Sequence, residues 1–151
     1  MGFVNSAKKK AFKIGVTTSL IGSLQISSVA KASEIVVRGS QAQTLFQTLL
    51  DLGVRATADD HGGSTIMTRQ IDCYKPVVPN PTAHCYVQEY SQFTEFYDET
   101  ILSAKIYDVL DSIGAAYSDG SVGANKVGLK MLSCYQGIRS DVTECQGQTW
   151  N

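Results

Sequence analysis

Histidine is scarce in this chain, with only His61 and His84 among 151 residues, and there is a single tryptophan. The four cysteines never come as a close Cys-x-x-Cys pair, so a four-thiolate zinc site has no natural ligand spacing. No Gly-x-Ser-x-Gly elbow is present, which removes the usual local signature of an α/β-hydrolase nucleophile. A triad drawn from Ser64, His61 and Asp59 would place all three on one turn, where neighbouring side chains rarely point at one another. No glycine-rich phosphate loop follows a strand pattern. The chain has only three prolines, Pro76, Pro79 and Pro81, all within six residues. These shortages leave no catalytic residue, no metal-ligand set and no cofactor to assign.

What is present begins with a leader-like N-terminus. Lys8, Lys9, Lys10 and Lys13 precede an uncharged apolar to small-residue run from Ile14 to Ala30, and Ala30-Lys31-Ala32 offers small side chains for a signal peptidase. The run is too rich in Ser, Thr and Gly for a membrane anchor of about 20 strongly apolar residues. Residues 1–32 are therefore expected to be a signal peptide cut after Ala32, the alternative being an uncleaved anchor. Five of the thirteen Lys and Arg lie in that segment and none of the fourteen acids does, leaving eight against fourteen and a formal charge near −6. Such a surface disfavours nucleic acid, where Lys and Arg supply most of the affinity, and anionic membranes. It is compatible with a protein partner of opposite charge.

Cys73, Cys85, Cys134 and Cys145 all follow the leader, and an even count in an exported chain predicts disulfides. Sliding the sequence by about 61 positions lays Leu45 to Tyr74 on Ile106 to Tyr135. Leu49 then meets Leu110, Gly53 meets Gly114, Gly62 meets Gly123, and Cys73-Tyr74 meets Cys134-Tyr135. In the first copy Ala42, Leu45, Phe46, Leu49 and Leu52 form a helical stripe. Ala104, Ile106, Tyr107, Leu110 and Ile113 repeat it. Ser40 with Gln43 reads as a capping box, and Gly53 and Gly114 as left-handed C-terminal stops. After each helix come a short segment, a turn-rich stretch, and two alternating runs carrying the cysteines, Ile66 to Tyr74 with Thr82 to Tyr90, and Val127 to Tyr135 with about Val142 to Trp150. Hairpin spacing then predicts Cys73 with Cys85 and Cys134 with Cys145. Ile35-Val36-Val37 and Phe93 to Tyr97 are further strand candidates.

The expected fold is thus α+β: two tandem repeats of a helix packed on antiparallel strands, with one disulfide hairpin per repeat. Residues 33–91 form repeat 1 and residues 92–151 repeat 2, the two making one compact domain. This layout is similar to that of secreted tandem-repeat β-lactamase inhibitor proteins, which also repeat a helix-plus-sheet unit with a disulfide in each copy. The resemblance is one of architecture, without a shared residue motif, and carries no function.

Two surfaces stand out as candidate contacts. The stretch Lys75-Pro76-Val77-Val78-Pro79, bracketed by Cys73 and Cys85, is stiffened by its prolines and needs little ordering on binding. It reads equally as a rigid hairpin connection. Tyr86, Tyr90, Phe93, Phe96 and Tyr97 cluster between the copies, as a contact surface or as the seam between them. Asp59-Asp60-His61 beside Gly62-Gly63 reads as a polar turn, with a metal site using His61 and His84 as the alternative. The functional expectation is an exported, periplasmic or secreted interaction module, with an inhibitor as one form of it. The alternatives are a hydrolase or metal-binding protein built on His61 and His84, or a structural envelope component.

Overall fold

A computed structural model describes residues 33–150; the expected leader over residues 1–32 lies outside the described residues. Ten elements follow in order: β1 (Glu34–Arg38), α1 (Gly39–Leu52), β2 (Ala56–Ala58), β3 (Ser64–Pro76), β4 (His84–Glu89), β5 (Glu95–Asp98), α2 (Ile101–Ser112), β6 (Ala116–Tyr117), β7 (Ala124–Gln136) and β8 (Thr143–Thr149). The strands form one eight-stranded sheet in the order β1-β8-β7-β3-β4-β5, with β2 added to β3 and β6 to β7. Every pairing is antiparallel. The fold is α+β, two helices on an antiparallel sheet with two disulfides.

The helical stripes are the cause of the layering. Ala42, Leu45, Phe46 and Leu49 of α1, and Ile106, Tyr107 and Leu110 of α2, are buried against Ile66, Ile71, Val87, Leu129 and Leu132 of the sheet. In α2 the buried position at the start of the stripe belongs to Ser103 rather than Ala104. Ser103 holds its place by donating its hydroxyl to the Asp98 carboxylate at 2.7 Å. Gly53 ends α1 in the left-handed region, φ +119°, its N–H donating to Leu49 O and Leu50 O. Gly114 is also left-handed, φ +87°, one residue beyond the cap Ile113.

The capping box expected at Ser40 and Gln43 is not formed. The chain turns directly from β1 into α1, Arg38 is the N-cap in extended conformation, and no side chain caps the helix. Arg38 is still paired with Glu144 on β8, so the first helical turn begins at Gly39 and Ser40 already lies inside it. At α2 the cap is Thr100, whose Oγ1 accepts from Leu102 N–H at 3.2 Å.

Both disulfides are as expected, Cys73 with Cys85 and Cys134 with Cys145, each joining directly opposed residues of a hairpin. The packing around them departs from the expectation that each helix covers its own strands. The sulfur of Cys85 lies 3.5 Å from Ser103 O of α2, and that of Cys145 lies 4.0 Å from Ala42 O of α1. Likewise β1 pairs with β8, and β5 with β4. Each sequence half therefore gives its first strand and helix to the hairpin of the other. The halves also meet along the sheet centre, where β3 pairs with β7 over the register Ser64↔Gln136 to Pro76↔Ala124.

Candidate functional site

Successive strand residues point to opposite faces, and the helices cover only one of them. Cys73, Ile71 and Ile66 of β3 face the helices, which sends Asp72, Tyr74 and Met67 to the other side. Cys85 and Val87 of β4 do the same for His84 and Tyr86. The uncovered face therefore carries Val36, Met67, Tyr74, Tyr97, Met131 and Tyr135, each between about 39% and 75% exposed. A solvated sheet face is ordinarily polar, so this concentration of apolar and aromatic side chains is unusual.

At the β4–β5 end of this face the aromatic rings line a cleft of about 410 Å³. The Cys73–Cys85 bridge fixes the hairpin register, which puts Tyr74 opposite His84 and Asp72 opposite Tyr86. Tyr74 and His84 stack with ring centroids 4.8 Å apart and planes within 5°. Strand β5 then sets Tyr97 opposite Tyr86, centroids 5.0 Å apart. The carboxylates around the cleft differ in what already occupies them. Asp98 accepts from Thr100 N–H at 2.9 Å and from Ser103 N–H at 3.0 Å, closing the start of α2. Burial opposes its ionisation, yet the Ser103 and Thr100 donors hold its carboxyl below the ordinary range. Asp72 accepts from the Tyr117 hydroxyl at 3.0 Å and from the Gln70 amide. Glu95 accepts the Tyr86 hydroxyl at 2.7 Å, and that hydrogen bond, with burial, pushes the Tyr86 phenol up to about 12. Glu99 is largely exposed and, among the described residues, meets only His84 Nδ1, at 3.9 Å.

The middle of the face holds cations over rings. The Arg69 guanidinium lies 4.8 Å from the Tyr90 ring centroid and 4.3 Å from that of Phe93, and Lys130 Nζ lies 5.3 Å from the Trp150 ring. Both cations sit where the ladders slip, between Thr68 and Gln70 and between Lys130 and Ser133. Towards β1, Val36, Met131 and Gln146 line a shallower depression of about 200 Å³.

The expected contact residues separate. Lys75 and Pro76 belong to β3 rather than to a loop, and Lys75 turns to the helix side, 4.5 Å over the Tyr107 ring and 3.8 Å from Asp108. Val77, Val78 and Pro79 form the exposed tip, which is anchored at its base by Val77 N–H donating to Gly123 O at 2.8 Å. Tyr86 lines the cleft, whereas Tyr90 and Phe93 flank Arg69. Phe96 packs against the core. The aromatic cluster thus lies on one contact between the halves, where β5 adds to β4 and Tyr97 meets Tyr86, while the longer contact runs along β3 and β7.

His61 and His84 lie at opposite ends of β3. His61 precedes Ser64, the first residue of the strand, and His84 pairs with Tyr74 near its last. Ten residues of strand separate those ends by roughly 33 Å, so no single site uses both rings. Asp59 is occupied in an Asx turn, its Oδ1 accepting from His61 N–H at 2.8 Å and Gly63 N–H at 2.9 Å. Those donors hold its carboxyl below the ordinary range. Among the described residues no group of three or more His, Cys, Asp or Glu comes together as metal ligands. No described helix is long and apolar enough to cross a membrane.

Comparison with known proteins gives no match to a protein-family model, to a curated protein or to a solved structure. The expected likeness to tandem-repeat β-lactamase inhibitors finds no support in these comparisons.

Tyr74, Asp72 and Glu99 were not singled out from the sequence. The signal for the first two was present: once Cys73 and Cys85 are set opposite each other, antiparallel counting places Tyr74 on His84 and Asp72 on Tyr86. Nothing local marks Glu99, which reaches the cleft only through the addition of β5 to β4.

Proposed function

We propose that this chain is an exported interaction module that binds a protein partner through the uncovered face of its sheet. The observation that carries the reading is the set of exposed Met, Tyr and Val side chains, interspersed with polar ones, on a face where polar side chains belong. Two buried disulfides suit a protein that matures in an oxidising compartment, periplasmic or extracellular. The acidic balance after residue 32 favours a basic partner over nucleic acid. Inhibition of an enzyme is one form such binding takes.

The scaffold is read as a duplication, residues 33–91 and 92–151. Its support is that the 61-residue slide maps the central register onto itself, turning the pair Ile66↔Cys134 into Cys73↔Val127. Arg69 corresponds to Lys130 on the same slide, and its neighbour Tyr90 to Trp150 once the second hairpin, one residue shorter between its cysteines, is allowed for.

The test is capture of envelope proteins on the immobilised, oxidised protein, side by side with Met67→Asp/Met131→Asp and with Val77→Ser/Val78→Ser. A protein retained by the native chain and lost on the Met67→Asp/Met131→Asp surface supports the sheet face. Loss only with the Val77→Ser/Val78→Ser variant moves the site to the proline-bearing tip. An identical set on all three surfaces, or self-association alone, refutes the reading; the latter is what a structural envelope component would show. Val77 and Val78 are exposed, so their replacement leaves the melting temperature unchanged.

A further inference from the structure

We infer that the cleft between Tyr74, His84, Tyr86 and Tyr97 is a receptor for a cation, the guanidinium of an arginine side chain on the protein partner. The inference deepens the interaction reading above and rests on it. Three independent features converge. The first is shape: Tyr74 stacked flat on His84, and Tyr86 beside Tyr97 at a 45° tilt, border a cleft of about 410 Å³, ample for a planar side-chain head. The second is charge. The described residues lining it are aromatic, imidazole, carboxylate or the disulfide-bonded Cys85, with no Lys or Arg among them. Lys126, paired with Tyr74 across the sheet, is held in a 2.7 Å ion pair with Asp119, and Lys75 points to the helices. The third is an unsaturated carboxylate. Asp98, Asp72 and Glu95 already accept hydrogen bonds within the domain, whereas Glu99 stands exposed at the rim with only a long contact to His84.

Aromatic faces attract cations through their quadrupole, and guanidinium does so while stacking flat and offering a two-pronged donor to a carboxylate. This domain already uses that chemistry internally, at Arg69 over Tyr90 and Phe93, where the cation comes from the chain itself. At the cleft the rings and the carboxylate are present and the cation is left for a partner to supply. Arginine is favoured over lysine because the rings present planes and Glu99 has two oxygens to accept.

The probe is a capped Gly-Gly-Arg-Gly-Gly peptide titrated into the oxidised full chain and followed by NMR. The control is the same peptide with citrulline, which keeps the planar shape without the charge. Saturable shifts at His84, Tyr74, Tyr86 and Tyr97 are expected, stronger for arginine than for citrulline and weakened by added salt. Tyr97→Ala and Glu99→Gln should each raise Kd about threefold to tenfold. Both side chains are exposed, so neither change disturbs the fold. Shifts confined to other residues, equal response to citrulline, no saturation, or indifference to both variants would overturn the assignment. If capture on the Met67 and Met131 end survives while this titration fails, the cleft alone is wrong; loss of both ends the interaction reading itself.

Discussion

Removing either disulfide, as Cys73→Ala/Cys85→Ala or Cys134→Ala/Cys145→Ala, should weaken the fold by nearly the same amount. The bridges close loops of sequence separation 12 and 11. On the chain-entropy relation each restricts the unfolded state by about 3 kcal/mol, and the two differ by only about 0.1 kcal/mol. All four sulfurs are buried beneath the helices, at 3% exposure or less, so replacing them with Ala also loses packing, on the order of 1 to 2 kcal/mol per pair. Each double variant is thus expected to lose about 4 to 5 kcal/mol, a large part of the total stability of a domain this size. At about 120 residues, 1 kcal/mol moves the midpoint by roughly 4 °C, so a fall of about 16 to 20 °C is predicted for either bridge. Urea titrations followed by circular dichroism supply the free energies, with m rising because the unbridged chain exposes more surface when unfolded. With all four cysteines replaced the chain should be largely unfolded at room temperature. A loss below about 1 kcal/mol for either bridge, or a severalfold difference between them, would refute the view that each staples its own hairpin as an equivalent unit.

The exchange of helices between hairpins predicts that residues 33–91 and 92–151, produced as separate chains, do not fold as monomers. Helical circular dichroism should appear only on mixing or at concentrations where copies associate, and a folded monomeric fragment in analytical ultracentrifugation would contradict it. Acid sensitivity should trace in part to Glu89, which is buried and accepts from Arg55 N–H and Nε, both at 3.2 Å. Burial raises its carboxyl and the Arg55 bonds outweigh that, leaving it below its ordinary value. A lowered folded pKa means the stabilisation is complete above the ordinary glutamate range and is lost as pH falls through the folded value. Melting temperature should therefore hold above about pH 5 and drop below about pH 4, and Glu89→Gln should flatten that drop; an unchanged slope would exonerate Glu89.

Local order was legible in the residues alone. The periodic stripes Leu45-Phe46-Leu49 and Ile106-Tyr107-Leu110 marked both helices, because burying one face is the only stable arrangement for such a pattern. Gly53 and Gly114 marked their ends, since few other residues adopt positive φ without strain. Cysteine spacing marked both hairpins and, with them, the neighbours Tyr74 and His84. The capping box at Ser40 failed because β1 runs without a loop into α1, and a strand paired with β8 overrides a local cap preference.

Tertiary structure decided the rest. That β3 pairs with β7, that β1 and β5 close the edges, and that each helix crosses to the other hairpin are choices among strands far apart in sequence. Hydrogen bonds along a strand edge are the same whichever partner supplies them, so no residue pattern names the partner. Those choices left one sheet face bare and carried Tyr97 and Glu99 to the Tyr74–His84 pair, which is why the cleft exists only in the folded chain.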